Sequence, residues 1–294
     1  MEINTKFGIL EATIPEGQKG VGIAISGGMD SATLFYMICK QIRDRKLNIP
    51  VYCYVVAYDY DRGSLYNGGL VIKHMRKEFP DIKIHAQMFV TTEAIGHIKA
   101  SFAGAMFHDT LRKNKWTGTE FRLWYGLTSN PQDDSFQFQE PKEWYVTPDS
   151  ARTPGKIDLR AKPRYGIGAC HPFVLVDKRV IVAAVHELDL WYCFDTITNS
   201  CTNIKQYDCG ECWWCQERSW ATKCAVPKED WPREGVQKLI HYGSQKGIDK
   251  LWRDGVVWTK EGYIARQELL KKLGNTVTNN TRELNETQNK IRNN

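Results

Sequence analysis

The stretch Val21-Gly22-Ile23-Ala24-Ile25-Ser26-Gly27-Gly28-Met29-Asp30-Ser31 decides how the rest of the chain is read. Residues 21–25 are a short apolar run, which reads as a buried strand, and Ser26-Gly27-Gly28 reads as the turn that ends it. Beyond the turn, Leu34, Phe35, Ile38 and Ile42 recur at helical spacing, so a helix follows. A strand that runs through a glycine turn into a helix is the opening of a βαβ unit.

The pattern continues outward. Residues 51–58 (VYCYVVAY) are rich in β-branched and aromatic side chains and predict a second strand. Val71, Met75 and Phe79 mark a helix, residues 82–90 a third strand, and Ile95, Ile98, Phe102 and Met106 a third helix. Residues 121–127 predict a fourth strand, residues 173–176 a short one, and Ile181, Val185 and Leu188 a helix. Strands alternating with helices imply a parallel sheet flanked by helices, a Rossmann-type α/β fold, whose ligands sit beyond the C-terminal strand ends. The 26–31 turn stands at such an end. Over residues 128–172 the periodicity disappears, which predicts a long loop. The expected organisation is an α/β domain over residues 1–192 containing that loop and a cysteine segment over 193–225. A helical extension over 226–273 and a disordered, asparagine-rich tail over 274–294 complete it.

Glycines at 27 and 28 let a backbone approach a phosphate closely, and the helix start presents free N–H groups and a positive dipole end. Ser26 and Ser31 add hydroxyl donors, and Met29 adds a backbone N–H. Two roles are open to Asp30: capping the helix, or holding Mg²⁺ against phosphates. The hexapeptide is not the GxxxxGK[ST] phosphate loop.

Hydrophobic residues at 42% and charged residues at 25% describe an ordinary soluble globular protein, and no apolar run is long enough to span a bilayer. The start of the chain has no secretory pattern, so a cytoplasmic location is expected. A net charge of +6 suits an anionic ligand such as a nucleotide and is too small to argue for nucleic acid. Of nine cysteines, Cys201, Cys209, Cys212 and Cys215 follow C-x7-C-x2-C-x2-C. That spacing predicts one tetrahedral zinc closed by four thiolates, hence structural, with an iron–sulfur cluster as the competitor.

Together these segments resemble the 7-cyano-7-deazaguanine synthase family. Ser-Gly-Gly-Met-Asp-Ser is similar to the SGGxDS signature of the ATP pyrophosphatases, which cleave ATP between the α and β phosphates and share the adenine nucleotide alpha hydrolase-like fold. Tyr58-Asp59-Tyr60 is similar to the family's F-D-Y, and residues 171–178 (HPFVLVDK) to its TPL…K segment. Residues 198–201 running into Cys209, Cys212, Cys215 and Arg218 resemble its zinc segment. The sequence departs from the family at Asp61-Arg62, where Gly-Gln is usual, and has no counterpart of FVPGRN between residues 86 and 106.

The resemblance implies a ligase that adenylates a carboxylate, 7-carboxy-7-deazaguanine or a relative, for attack by ammonia to give an amide and then a nitrile. It implies residues 26–31 and Tyr58 as ATP contacts, Lys178 and Asp30 as catalytic groups, and ATP, Mg²⁺ and structural zinc as the chemistry's companions. Lys178 is open to two readings, neutralising pyrophosphate or standing solvated at a helix start. Asp59, Arg152, Arg160, Arg164 and Arg218 are candidate substrate contacts; a solvated loop is the other account of the arginines at 152, 160 and 164. Arg218 is open to packing over the zinc segment as well. Cys170-His171 has no visible partner and reads as an ordinary loop pair. Two other functions remain open: an adenylating enzyme that modifies nucleic acid, and a subunit that keeps the fold to bind a partner. A homodimer or a pathway partner is also compatible with the chain.

Overall fold

The computed structural model describes residues 1–58, 63–91, 98–131, 135–137, 164–165, 168–201, 210 and 212–231. Met1–Asp230 forms one compact unit and Trp231–Asn294 a second, of which only Trp231 is among the described residues. The predicted tail over 274–294 and most of the predicted helical extension lie outside them. At the start of that extension a short 3-10 helix spans Lys228–Asp230.

The chain opens with a hairpin of β1 (Glu2–Thr5) and β2 (Gly8–Glu11). The alternating elements follow as expected: β3 (Gly20–Ala24), α1 (Met29–Asp44), β4 (Val51–Tyr58), α2 (Gly63–Glu78), β5 (Ile84–Thr91), α3 (Ile98–Asn114) and β6 (Phe121–Tyr125). Two short strands, β7 (Arg164–Tyr165) and β8 (Ala169–His171), precede α4 (Lys178–Glu187), α5 (Trp191–Ile197) and α6 (Trp213–Ala225).

Among the described residues six strands form one sheet in the order β5-β4-β3-β6-β8-β7. The first five run parallel, and β7 closes the edge antiparallel to β8. β3 and β4 carry no charged residue, as expected of strands covered by helices on both faces. Tyr54, Val56, Phe121 and Leu123 pack against Ala103 and Phe107 of α3 on one face. On the other, α1 and α2 pack on β3, β4 and β5, and α4 and α5 pack on α1. Tyr54 is buried under α3, and its hydroxyl donates to Thr110 Oγ1 at 2.7 Å, so the one polar atom of that ring is satisfied.

Three expectations are corrected. Residues 128–172 are not one featureless loop, since β7 and β8 lie within them and β8 extends the parallel sheet. Residues 173–176 are a turn rather than a strand, with the Val176 N–H donating to the Phe173 carbonyl at 3.1 Å. Pro172 has no N–H to continue a ladder, so the strand ends at His171. The fourth predicted strand stops at Tyr125, two residues early, and the Gly126 backbone that follows lies against the first turn of α1. Among the described residues no helix is long and apolar enough to cross a membrane.

Candidate functional site

The strand order reverses between β3 and β6. From β3 the chain winds outward through β4 to β5, and α3 then brings it back to β6 on the opposite side of β3. Crevices at such a reversal, beyond the carboxyl ends of the strands, are where open parallel sheets take ligands. The 26–31 turn leaves β3 here and opens α1, with Gly28 as the N-cap residue. Gly27 has φ +79°, and a Cβ there would lie 2.8 Å from Asn67 Cβ and 2.9 Å from Gly68 N, so both conformation and space require glycine. The hydroxyls close the turn on itself: Gly28 N–H donates to Ser26 Oγ at 3.3 Å, Ser31 Oγ donates to the Gly28 carbonyl at 3.1 Å, and the two hydroxyls lie 3.2 Å apart. The first-turn N–H groups of Met29, Asp30 and Ser31 lie ahead of the helical ladder.

Asp30 does not cap α1, which has no side-chain cap. Its two carboxylate oxygens each accept from Lys178 Nζ at 2.6 Å. Lys178 is not a solvated lysine either: its side chain is 3% exposed, against 18% for Asp30. Its position follows from local sequence. Asp177 caps α4 by accepting from the Arg179 N–H at 2.9 Å, which makes Lys178 the first helical residue and points its chain toward α1.

A third segment meets them. Residues 126–130 follow β6, and Thr128, Ser129 and Asn130 are buried although polar. A Cβ on Gly126 would stand 2.7 Å from the Asp30 carbonyl carbon and 2.8 Å from Ser31 N, so this backbone lies directly against the first turn of α1. Thr128 Oγ1 is 3.5 Å from Asp30 Oδ2, and the Ser129 N–H donates to the Val176 carbonyl. Sequence reading missed these residues. Their only signal was a glycine and three small polar residues immediately after a strand.

Behind the turn lies the cysteine segment. The sulfurs of Cys201, Cys212 and Cys215 lie within 4.8 Å of one another, and this group could hold a metal ion. Cys212 and Cys215 are buried, with their sulfurs 3.3 Å apart. Gly210 has φ +71°, a left-handed conformation that glycine adopts without strain, two residues ahead of Cys212. Cys209 lies outside the described residues. Arg218, on α6 three residues beyond Cys215, is turned inward: Nη1 donates to the Thr198 carbonyl at 2.9 Å, and Nη2 to Asp195 O and Oδ1 at 3.2 and 3.0 Å. Those bonds tie α6 to the end of α5, the packing role that was one of the two readings open to Arg218.

Tyr58 is the last residue of β4 and Arg164 the first of β7, both at strand ends, with side chains outside the described residues. Asp59, Arg152 and Arg160 lie outside them altogether. Cys170 sits inside β8, where burial pushes its thiol up to about 11, away from the range of a reactive thiolate. His171 stacks on Tyr125 with ring centroids 5.0 Å apart. His74 of α2 is buried with its ring nitrogens 3.7 Å from Cys193 Sγ, and desolvation, helped by the Lys77 charge, lowers it to about 4.

Fold and site together define a parallel α/β protein with a glycine turn, a buried lysine–aspartate pair and a cysteine cluster gathered at one end of its sheet. No protein-family model matches the chain, and no curated protein does.

Proposed function

We propose that the chain is an ATP-dependent carbon–nitrogen ligase of the 7-cyano-7-deazaguanine synthase type, with an adenine nucleotide alpha hydrolase-like fold. The observation that carries this reading is the 26–31 turn at the reversal point of the sheet, with the buried Lys178–Asp30 pair against it. Helix-start N–H groups and a glycine turn suit a polyphosphate, and a lysine held in low dielectric is a strong neutraliser of charge that appears on a leaving group. Lys178 would stabilise departing pyrophosphate. Asp30 is the carboxylate that would hold Mg²⁺, which neutralises phosphate charge in such sites. Exchange of Lys178 from Asp30 to a phosphate would free Asp30 for that task.

In the proposed reaction a substrate carboxylate attacks the α-phosphorus of ATP and pyrophosphate leaves. Ammonia then displaces AMP to give an amide. A second ATP adenylates the amide oxygen, and loss of AMP with a proton gives the nitrile. The protein's part is positioning and charge stabilisation. Asp59, Arg152 and Arg164 are the proposed substrate contacts.

The cysteine cluster suits structural zinc. Tetrahedral thiolates about 2.3 Å from zinc stand roughly 3.8 Å apart, close to the 3.3 Å between Cys212 and Cys215 and inside the 4.8 Å that bounds all three sulfurs. Cys209 is the proposed fourth ligand. Bound zinc would supply folding free energy to the segment that leads into α6.

The test incubates the protein with ATP, Mg²⁺, ammonium and 7-carboxy-7-deazaguanine and follows products by mass. Nitrile is the expected product, and amide alone would mean only the first half of the reaction. Consumption of ATP only with another carboxylate or with RNA would move the substrate and keep the adenylation. Absence of AMP formation with every carboxylate tried would overturn the enzyme reading and favour a partner-binding subunit.

A further inference from the structure

The cysteine cluster and the glycine turn are distant in sequence and meet at one residue, Asn199. Its backbone N–H donates to the Gly27 carbonyl at 2.9 Å. Its side-chain Oδ1 accepts from the Cys201 N–H at 2.8 Å. Its own carbonyl oxygen lies 3.6 Å from where a Cβ on Gly28 would stand. One asparagine therefore touches the turn with its backbone and a cluster cysteine with its side chain.

The segment around Asn199 is clamped from both ends. On one side Arg218 holds the Thr198 carbonyl and is itself held by Asp195, and Arg218 shares α6 with Cys215. On the other side Cys201 belongs to the cluster with Cys212 and Cys215. A metal that binds Cys201 to the two α6-side cysteines fixes the position of Cys201, and through the 2.8 Å bond it fixes Asn199. Gly27 has little room to adapt independently, because Asn67 and Gly68 of α2 stand on its other side. Its carbonyl direction decides which way the following N–H groups face.

We propose that Asn199 is a positioning residue through which metal in the cysteine cluster sets the conformation of the 26–31 turn, so that metal binding and nucleotide binding are thermodynamically coupled. This rests on the nucleotide reading above. Coupling of this kind is reciprocal: the factor by which metal tightens nucleotide equals the factor by which nucleotide tightens metal. One relayed hydrogen bond supports a factor of up to about tenfold.

The experiment uses the full chain and a non-hydrolysable ATP analogue. Calorimetry gives analogue affinity with the cluster loaded and stripped of zinc. Release of zinc to a chelator, with and without the analogue, gives the reverse direction and needs no stripped protein. Cobalt in place of zinc adds a spectroscopic signature, since its visible bands report the thiolate geometry. In the wild type, the analogue is expected to slow zinc release several-fold to tenfold and to shift the cobalt bands. Asn199→Ala is expected to bind zinc and analogue at full stoichiometry but independently, with no protection and no band shift. Asn199→Asp keeps an oxygen acceptor for the Cys201 N–H and is expected to restore the coupling, whatever its added charge does to absolute affinity. A wild type in which analogue binds and neither zinc release nor the cobalt spectrum responds overturns the proposal, as does full coupling in Asn199→Ala. A wild type that binds no analogue at all overturns the nucleotide reading and this inference with it.

Discussion

Replacing Lys178 by Met, Asp30 by Asn, and both together tests the central ion pair without assuming any reaction. Lys178 Nζ is 2.6 Å from each Asp30 oxygen, its side chain is 3% exposed, and that of Asp30 is 18% exposed. Removing one partner of a buried pair leaves the other as an uncompensated charge, at a cost of about 3–5 kcal/mol. The two single changes should differ. Asp30→Asn leaves an ammonium with almost no access to water, so it belongs at the upper end of that range. Lys178→Met leaves a carboxylate with some solvent and the Thr128 hydroxyl 3.5 Å away, so about 2–3 kcal/mol is expected. Met and Lys have similar volumes, and a neutral replacement of a buried pair is often nearly neutral in stability. The double variant should therefore lie within about 1–2 kcal/mol of wild type, with a coupling energy of at least about 2 kcal/mol. Urea denaturation of the four proteins, with equal slopes required, is the assay. Strict additivity, or single variants within about 0.5 kcal/mol of wild type, would refute the pair as a buried electrostatic unit.

Other changes reach different parts of the site. Ser26→Ala removes a hydroxyl that orders the turn and is expected to weaken ATP binding about tenfold by calorimetry while leaving metal content unchanged. Cys212→Ser is expected to lower zinc per chain, measured by elemental analysis, and to reduce the melting temperature, since cluster metal would contribute to folding. Gly126→Ala places a methyl 2.7 Å from the Asp30 backbone and is expected to cost about 1–3 kcal/mol in denaturant, with the loss appearing even without ligand. Burial lowers His74 to about 4 from its ordinary 6.5, so the unfolded chain binds the proton first as pH falls. Its contribution is intact above pH 6.5 and lost as pH falls from 6.5 toward 4, amounting to about 3 kcal/mol; His74→Phe should flatten that part of the stability–pH curve.

The parallel core was legible where its elements are long, as in β4 and α1. The eight residues of β4 are apolar throughout, and α1 repeats its apolar side chains at helical spacing, so neither needs outside contacts to be recognised. Short elements were not legible. A strand of three residues such as β8, between Gly168 and Pro172, carries too little pattern for a period of two to show. The apolar run Phe173-Val174-Leu175-Val176 has strand composition, yet a local turn bond decides its shape and leaves Leu175 40% exposed. Propensity is a weak prior where four residues can satisfy themselves in a turn.

The site divides along the same line, for a related reason. Residues 26–31 carry their own signature because the physics of the turn is local: two glycines, two hydroxyls and a helix start. What surrounds the turn is assembled from far away. Lys178 reaches Asp30 across 148 positions, Gly126 arrives at the end of β6, and Asn199 comes from the segment behind α5. Hydropathy marks Thr128, Ser129 and Asn130 as loop residues, yet they are buried, with Ser129 bonded to the distant Val176 carbonyl and Thr128 close to Asp30. Polar residues that become buried by contacts this distant look the same in sequence as solvated ones. The Asp30–Lys178 cycle and the Asn199 coupling probe two of these long-range contacts independently. An intact ion pair with an uncoupled cluster would localise nucleotide control to the β3–β6 crevice, whereas coupling with a weak pair would place it behind the turn, at the cysteines.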